Sequence, residues 1–450
     1  MLQSEAVKQM KISILSVFPE IYTQFLETSL VRRAQEKGLV SYNLDSFRSF
    51  VAPKERIDAP AFGPGAGMVI KAEVVQKAIE TKEKKFGSAY KIFFSPSGKK
   101  LNQDILLKIA NLAQKRGHVM LLPARYEGMD ARAEEHYADE VLSVGDFVLM
   151  GGDIPAMIFL EGFLRLIPNV VGKKESVLMD SFTGPLVDYP SYAEPVEWKG
   201  YKVPDILRSG NHEEIRKWRE DQAVKNTVIR HFDWMRSHQV NNEQKSLVKT
   251  YMPNHYVALM HCQVLVGCCG AERIGSTSVT SIDVHDIARS SKTFGLKHYF
   301  IVTPLKDQQK IVGNMLDFWQ KGIGREYNQS RFESVKSVSL SSSLQEVIDY
   351  ISEKEGKKPV VIVTSARKYQ KENVITYYDQ DKVWSLGRPV LFLFGTGQGL
   401  INEVVDAADF VLVPVEGFSD YNHLSVRSAA AIVFDRWLGI NVKKHKKVKI

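Results

Sequence analysis

Four glycine-bearing turns each follow an apolar run: LLPARYEGMD at 121–130, SVGDFVLMGGDIPA at 143–156, LFLFGTGQGL at 391–400 and VLVPVEGFSDYNHLSV at 411–426. Glycine lets a main chain approach a ligand closely and adopt dihedral angles closed to other residues. At the carboxyl ends of parallel strands, such turns are where α/β proteins take small molecules. GTGQGL (395–400) and FGPGAGM (62–68) both lack the GK[ST] of a phosphate-binding loop. The spacing G-x-G-x-G also misses the G-x-G-x-x-G of a dinucleotide fold. Nucleoside triphosphate hydrolysis is therefore disfavoured, while a nucleoside-like ligand stays open. So does the plainer possibility that these glycines only make tight turns.

The elements around the turns alternate in type. KISILSVF (11–18) is a strand-like apolar run closed by Pro19, and 21–38 has helical spacing with Gly38 as its stop. Further helical stretches at about 73–86, 101–116 and 154–166 are separated by the strands KIFFSP and HVMLLP. A second series begins at Tyr256, with strands YVALMHCQVLV, KHYFIVTP, PVVIVTSA, PVLFLFG and DFVLVPV between amphipathic helices. Strands alternating with helices predict parallel sheets. Between the two series, 183–208 holds Pro185, Pro190, Pro195 and Pro204 without periodicity and reads as a linker. The expected partition is a leader at 1–9, an α/β domain at 10–182, this linker, a small helical module at 209–250, a second α/β domain at 251–440, and a basic tail at 441–450.

Length and composition fit that partition. The chain has 450 residues, 44% hydrophobic and 25% charged, which suits two or three soluble domains. Cys262, Cys268 and Cys269 are too few and too close together for a disulfide framework or a zinc site. No apolar run reaches the roughly 18–20 residues of a membrane helix, so a cytoplasmic protein with no membrane partner is expected. The net charge of +8 is unevenly spread: five lysines and no acid fall in the last ten residues. Residues 81–120 carry nine cations against Glu83 and Asp104, a band that could meet phosphates.

With RYEG (125–128), VGDFVLMGG (144–152), IPA (154–156), RLIP (165–168), DSF (180–182), SPSG (95–98) and SGNHEEIRKWR (209–219) in this order, residues 10 to about 240 resemble the bacterial tRNA (guanine-N1)-methyltransferase family of the SPOUT class. The resemblance implies S-adenosylmethionine as methyl donor, bound bent in a trefoil-knotted cleft between two protomers, with Mg²⁺ also used. It places the donor site on Ser95, Pro96, Tyr126, Glu127, Gly128, Val144, Gly145, Leu149, Gly151, Gly152 and Pro155. The general base falls on Asp180 and the guanine-contacting arginine on Arg165, with Glu127 holding the donor or an exocyclic amine. A sulfonium methyl is already activated. The enzyme needs only to take the N1 proton, balance charge developing on O6 and hold the geometry. Ser209, Asn211, His212, Arg216, Trp218 and Arg219 of the helical module are the implied RNA contacts. Ala124, Phe147 and Glu194 depart from the family's usual glycine, tyrosine and arginine, and GPGAGM stands where GGGPGM is common.

The second half resembles another SPOUT branch, the RNA methyltransferases related to ribose 2′-O enzymes, through IDVHDIARSSKTFG (282–295), FLFGTGQGL (392–400) and NHLSVRSAAAI (422–432). The implied donor contacts are Thr364, Phe394, Gly395, Gly397, Gly399, Val413, Leu424 and Ser425. Arg289 and Asn422 are the implied catalytic or substrate-orienting residues. Asp283 stands where that branch has asparagine. The whole expectation is an α/β chain of two SPOUT-type trefoil-knotted parallel-sheet domains with a small helical module between them. It would be a homodimeric, bifunctional tRNA methyltransferase modifying the guanosine 3′-adjacent to the anticodon (position 37), with a second, ribose 2′-O activity. The alternative is a C-terminal half that only binds RNA or dimerises.

Overall fold

The computed structural model describes residues 9–64, 67–172, 180–267 and 271–441. The leader (bar its last residue), Cys268, Cys269 and the basic tail from 442 onwards lie outside the described residues. The chain divides into two compact units, with the boundary between Thr183 and Gly184.

The first unit is built on a five-stranded sheet in the order 40–46, 10–16, 118–123, 90–100, 140–143, every pair parallel. Its central strands read as unbroken apolar runs because both faces are covered. All six residues of His118–Pro123 are buried. One face carries the helices Ser29–Glu36, Gln103–Arg116 and Asp153–Leu164; the other carries Ala72–Phe86 and Ala131–Tyr137. Helix Gln103–Arg116 starts where the Asn102 side chain accepts from the Ile105 amide at 2.9 Å, and stops at the left-handed Gly117. The helix expected over 21–38 is broken. Thr28 adopts an extended conformation, its hydroxyl donates back to Phe25, and a helix restarts at Ser29.

The second unit holds a seven-stranded sheet in the order 338–341, 298–302, 255–260, 390–395, 360–364, 410–412, 374–375, again all parallel. The single strand expected over YVALMHCQVLV is two. His255–Met260 joins the sheet, and Val264–Val266 pairs antiparallel with Arg273–Gly275 after a turn at left-handed Gln263.

The residues set apart in sequence as linker and helical module belong to this unit by packing. Val224, Val228, Phe232 and Met235 share a core with Trp384, Phe392 and Trp437. The Phe232 and Trp384 rings meet edge to face at 4.8 Å. Each such side chain contributes roughly 1.5–3 kcal/mol by leaving water. The linker is fastened too: the Val187 amide donates to Thr227 Oγ1 at 2.9 Å, and Trp234 Nε1 donates to the Gly184 carbonyl at 2.9 Å. A narrow apolar stripe suggested an independent module because the sequence does not show what covers it.

Candidate functional site

Each sheet carries a cleft at the carboxyl ends of its strands. In the first unit, three adjacent strands, 90–100, 118–123 and 140–143, send their following loops into one cavity of about 350 Å³. SPSG enters it as an excursion within a strand: pairing with Leu142 passes from Phe94 to Lys99, so Ser95–Gly98 bulge out. Gly98 is needed there, since a Cβ would lie 2.7 Å from the Leu142 backbone. The 124–129 loop is fixed by the Glu127 amide donating to Met68 O and the Ile70 amide donating to Gly128 O, both at 3.0 Å. Tyr126 and Gly128 take left-handed dihedral angles within it. Gly152 donates to the Ala124 carbonyl at 2.7 Å, and a Cβ on it would meet Ala124 N at 2.8 Å.

All eleven positions expected to hold the donor line this cavity, from Ser95 and Pro96 through Tyr126, Glu127, Gly128, Val144, Gly145, Leu149, Gly151 and Gly152 to Pro155. Ala124 and Phe147, two of the departures, line it as well. Arg165 and Asp180 do not. They pair with each other, both partly exposed, outside the residues that line the cavity.

Three charged residues here were missed in the sequence. Arg125 and Glu134 line the cavity. Asp153, only 1% exposed, opens helix Asp153–Leu164. Its Oδ1 accepts from Ser16 Oγ at 2.6 Å and Tyr22 Oη at 3.1 Å, and its Oδ2 from Arg125 Nε at 2.6 Å. Burial, then the neighbouring Asp153 charge, pushes the Tyr22 phenol far above its ordinary range, so it stays a donor. Burial, with Glu135 adding to it, also raises the Glu134 carboxyl. The available signal for Asp153 was a carboxylate opening an otherwise apolar helix, DIPAMIFLEGFL.

In the second unit, the loops after strands 360–364, 390–395 and 410–412 line a cavity of about 650 Å³ together with 422–426. The glycine loop is pinned against Val264–Val266: Gln398 donates to Leu265 O, and Leu265 donates to Gly399 O, both at 2.9 Å. A Cβ on left-handed Gly397 would lie 2.6 Å from Leu265 O, while one on Gly399 would meet open space. Asn422 Nδ2 donates to Ala366 O at 3.0 Å, and Ser425 caps helix Val426–Leu438. Thr364, Phe394, Gly395, Gly397, Gly399, Val413, Asn422, Leu424 and Ser425 all line the cavity. Arg289 does not. It is exposed on helix Ser281–Phe294. Asp283, at the asparagine position, is buried and accepts from Arg427 Nη1 at 3.2 Å.

Comparison with known proteins divides the chain later than the packing does, after residue 237 rather than at Thr183. Residues 10–237 match the model described as tRNA (Guanine-1)-methyltransferase TrmD, and 254–439 match one described as SAM-dependent RNA methyltransferase. The chain belongs to the tRNA (guanine-1)-methyltransferase family. Its second half is a SAM-dependent RNA methyltransferase domain. A tRNA (guanine-N(1)-)-methyltransferase of Nitratidesulfovibrio vulgaris is 34% identical over 436 residues, covering 96% of this chain and 99% of the relative. One of Oleidesulfovibrio alaskensis is 35% identical over the same coverage. A relative from Anoxybacillus flavithermus is 36% identical over 248 residues, which is 54% of this chain and 99% of the relative. Members of this family therefore come both with and without the additional length.

The RNA contacts expected in the helical module cluster at the start of helix His212–Arg230. Asn211 caps it by accepting from the Glu214 amide, and Ser209 donates to Ile206 O at 2.8 Å. His212 is exposed. Arg219 lies over the Tyr189 ring at 4.8 Å and Trp218 lies 6.3 Å from Tyr192, while Arg216 pairs with Glu213 and Glu220. The basic band at 81–120 is largely spent internally. Lys82 pairs with Asp45, Lys91 with Glu83 and Asp139, Lys99 and Lys108 with Glu140, Lys100 with Asp146, and Arg116 with Asp139. Among the described residues, no three His, Cys, Asp or Glu side chains are grouped to hold a metal ion. No helix among them is long and apolar enough to cross a membrane.

Proposed function

We propose that this chain is a bifunctional tRNA methyltransferase. Its first half transfers a methyl group to N1 of the guanosine 3′-adjacent to the anticodon (position 37). The convergence of eleven expected donor positions on one cleft carries this reading. S-adenosylmethionine, when bound, supplies an electrophilic sulfonium methyl. Ser95, Glu127 and the main chain of Gly128, Gly151 and Gly152 are the groups to hold it, and Gly128 leaves open space where a Cβ would stand. Asp180 takes the N1 proton, and Arg165 balances charge developing on O6. Their ion pair keeps an acceptor and a fixed cation side by side, the two groups the reaction requires.

In this reading the chain works in the cytoplasm as a homodimer with trefoil-knotted domains of the SPOUT class. Support for the dimer comes from the exposed apolar run beside the first cleft: Val148 is 88% and Met150 91% exposed, with Phe147, Leu149, Ile154 and Ile158 also open. A contiguous patch of that kind marks an interaction surface. A homodimer buries it against its own copy. The base is tested by mass spectrometry of nucleosides from unmodified tRNA. Asp180→Ala is expected to abolish N1-methylguanosine while donor binding persists, and near-normal turnover would remove Asp180 from the role.

The second half is proposed to methylate a ribose 2′-hydroxyl, with Asn422 beside the donor. One observation favours the other reading, an RNA-holding module: Arg289 lies off the cleft. Calorimetry on the full chain separates them. Two donor molecules per chain support a second transferase, and one supports the module.

A further inference from the structure

We infer that the second unit grips an RNA strand in a cationic groove at the opposite end of its sheet from the methyl-donor cleft. The inference rests on RNA being the substrate. The groove has a volume of about 570 Å³ and lies at the amino ends of strands 255–260 and 298–302, with helix Asn242–Tyr251 as its far wall. Arg236, Lys245, Lys249, Lys292 and Lys297 line it, and among the described residues no aspartate or glutamate does. Lys245, Lys249 and Lys297 are exposed and have no ion pair among the described residues. Two of the five are already paired, Arg236 with Asp233 and Lys292 with Glu333, so the groove's uncountered charge is that of Lys245, Lys249 and Lys297; Glu355 bonds Asn254 and Tyr256.

The floor is apolar: Val248, Met252 and Phe294 are partly exposed on it, with the buried Phe232 and Met235 beneath. Cations around an apolar, partly aromatic floor match one ligand chemistry well. Phosphates sit on the rim while an unstacked base lies on the floor, the arrangement by which proteins hold single-stranded nucleic acid. An acidic peptide satisfies the rim but makes poor use of the floor. Lysines near helix ends are also ordinary complements of the helix dipole. That accounts for Lys292 and Lys249, but Lys297 follows a loop, its amide donating to His255 O at 2.8 Å.

The test uses the full chain and an unmodified tRNA transcript, with affinity read by fluorescence anisotropy over a salt series. The triple variant Lys245→Glu, Lys249→Glu, Lys297→Glu is expected to bind at least ten-fold more weakly. Its salt dependence should be shallower by about 2 in log–log slope, at roughly 0.7 per lost phosphate contact. The matching Lys→Arg triple variant is expected to stay within about two-fold of wild type. A thermal unfolding profile identical to wild type shows the charge-reversed chain is folded. Unchanged tRNA affinity and slope in that folded variant would overturn the groove. So would loss of binding to an acidic peptide or a nucleoside monophosphate with tRNA binding intact. A wild-type chain that bound no tRNA would overturn the substrate reading and the groove with it.

Discussion

Arg125 Nε donates to the buried Asp153 carboxylate at 2.6 Å, tying the loop that carries Tyr126 and Glu127 to the first residue of the helix after the Gly151–Gly152 turn. Ser16 and Tyr22 donate to the same carboxylate from the first strand and the turn after it. One buried charge therefore fixes three segments around the cleft. Removing it leaves a guanidinium and the Ser16 hydroxyl without their acceptor, and Tyr22 with only the Asp153 main-chain carbonyl at 3.3 Å, a loss of about 3–5 kcal/mol when a buried pair is broken from one side. Asp153→Ala is expected to lower the first unit's denaturation midpoint sharply and weaken donor binding there. Asp153→Asn, which keeps one acceptor oxygen, is expected to lose less of both. Equal behaviour of the two variants in chemical denaturation would contradict a charge-centred role.

The glycines offer a cleft-by-cleft test. Gly152→Ala forces a Cβ to within 2.8 Å of Ala124 N and 3.0 Å of Pro123 Cα, both main-chain atoms that cannot swing aside. Gly397→Ala meets Leu265 O at 2.6 Å with φ at +60°. Each is expected to weaken the donor at its own cleft by ten-fold or more and leave the other unchanged. Titration calorimetry on the two single variants reads this directly.

The glycine turns and the parallel sheets were legible in the sequence, because apolar runs alternate with helical stretches and end in glycine turns; the donor positions were implied by the resemblance, and they line the two clefts. What was not legible came from long-range pairing. The nine cations of 81–120 looked like a phosphate-binding band, yet five of them, Lys91, Lys99, Lys100, Lys108 and Arg116, pair with Asp139, Glu140 and Asp146 further along the chain. Asp283 read as a departure from asparagine. Only the fold puts Arg427 against it, from a segment 144 residues away. Arg289 matched a motif position, but the helix carrying it turns that residue outwards to solvent.

Where the chain can be cut follows from the shared core. A fragment beginning at residue 251 loses Val224, Val228, Phe232 and Met235 from beside Trp384 and Trp437. At roughly 1.5–3 kcal/mol for each buried side chain, that deficit is comparable to a domain's whole stability. A fragment beginning at 184 keeps them. Thermal unfolding is expected to show a cooperative transition for 184–450 and a far weaker or absent one for 251–450. Equal stability of the two would mean the helices are an appendage.

Acid should loosen the second unit first. His255 is fully enclosed and accepts from Trp437 Nε1 at 3.2 Å, and burial pushes it down to about 4 from an ordinary 6.5. Burial lowers His261 and His298 to about 4 as well. Below about pH 6.5 the unfolded chain takes up protons that the folded chain refuses. Stability is therefore complete above 6.5 and falls as pH drops from about 6.5 to about 4, where the folded histidines begin to titrate. The first unit's His118 is lowered by burial too, and Glu140 works in the same sense but in a lower window. Burial alone would raise its carboxyl, yet hydrogen bonds from Lys108 and Lys99 hold it below the usual range, so its contribution survives until lower pH. His255→Gln keeps an acceptor for Trp437 and removes one titration. It is expected to flatten the pH dependence of the second unit's melting temperature between 6.5 and 4. A variant curve parallel to wild type across that window would place the acid sensitivity elsewhere.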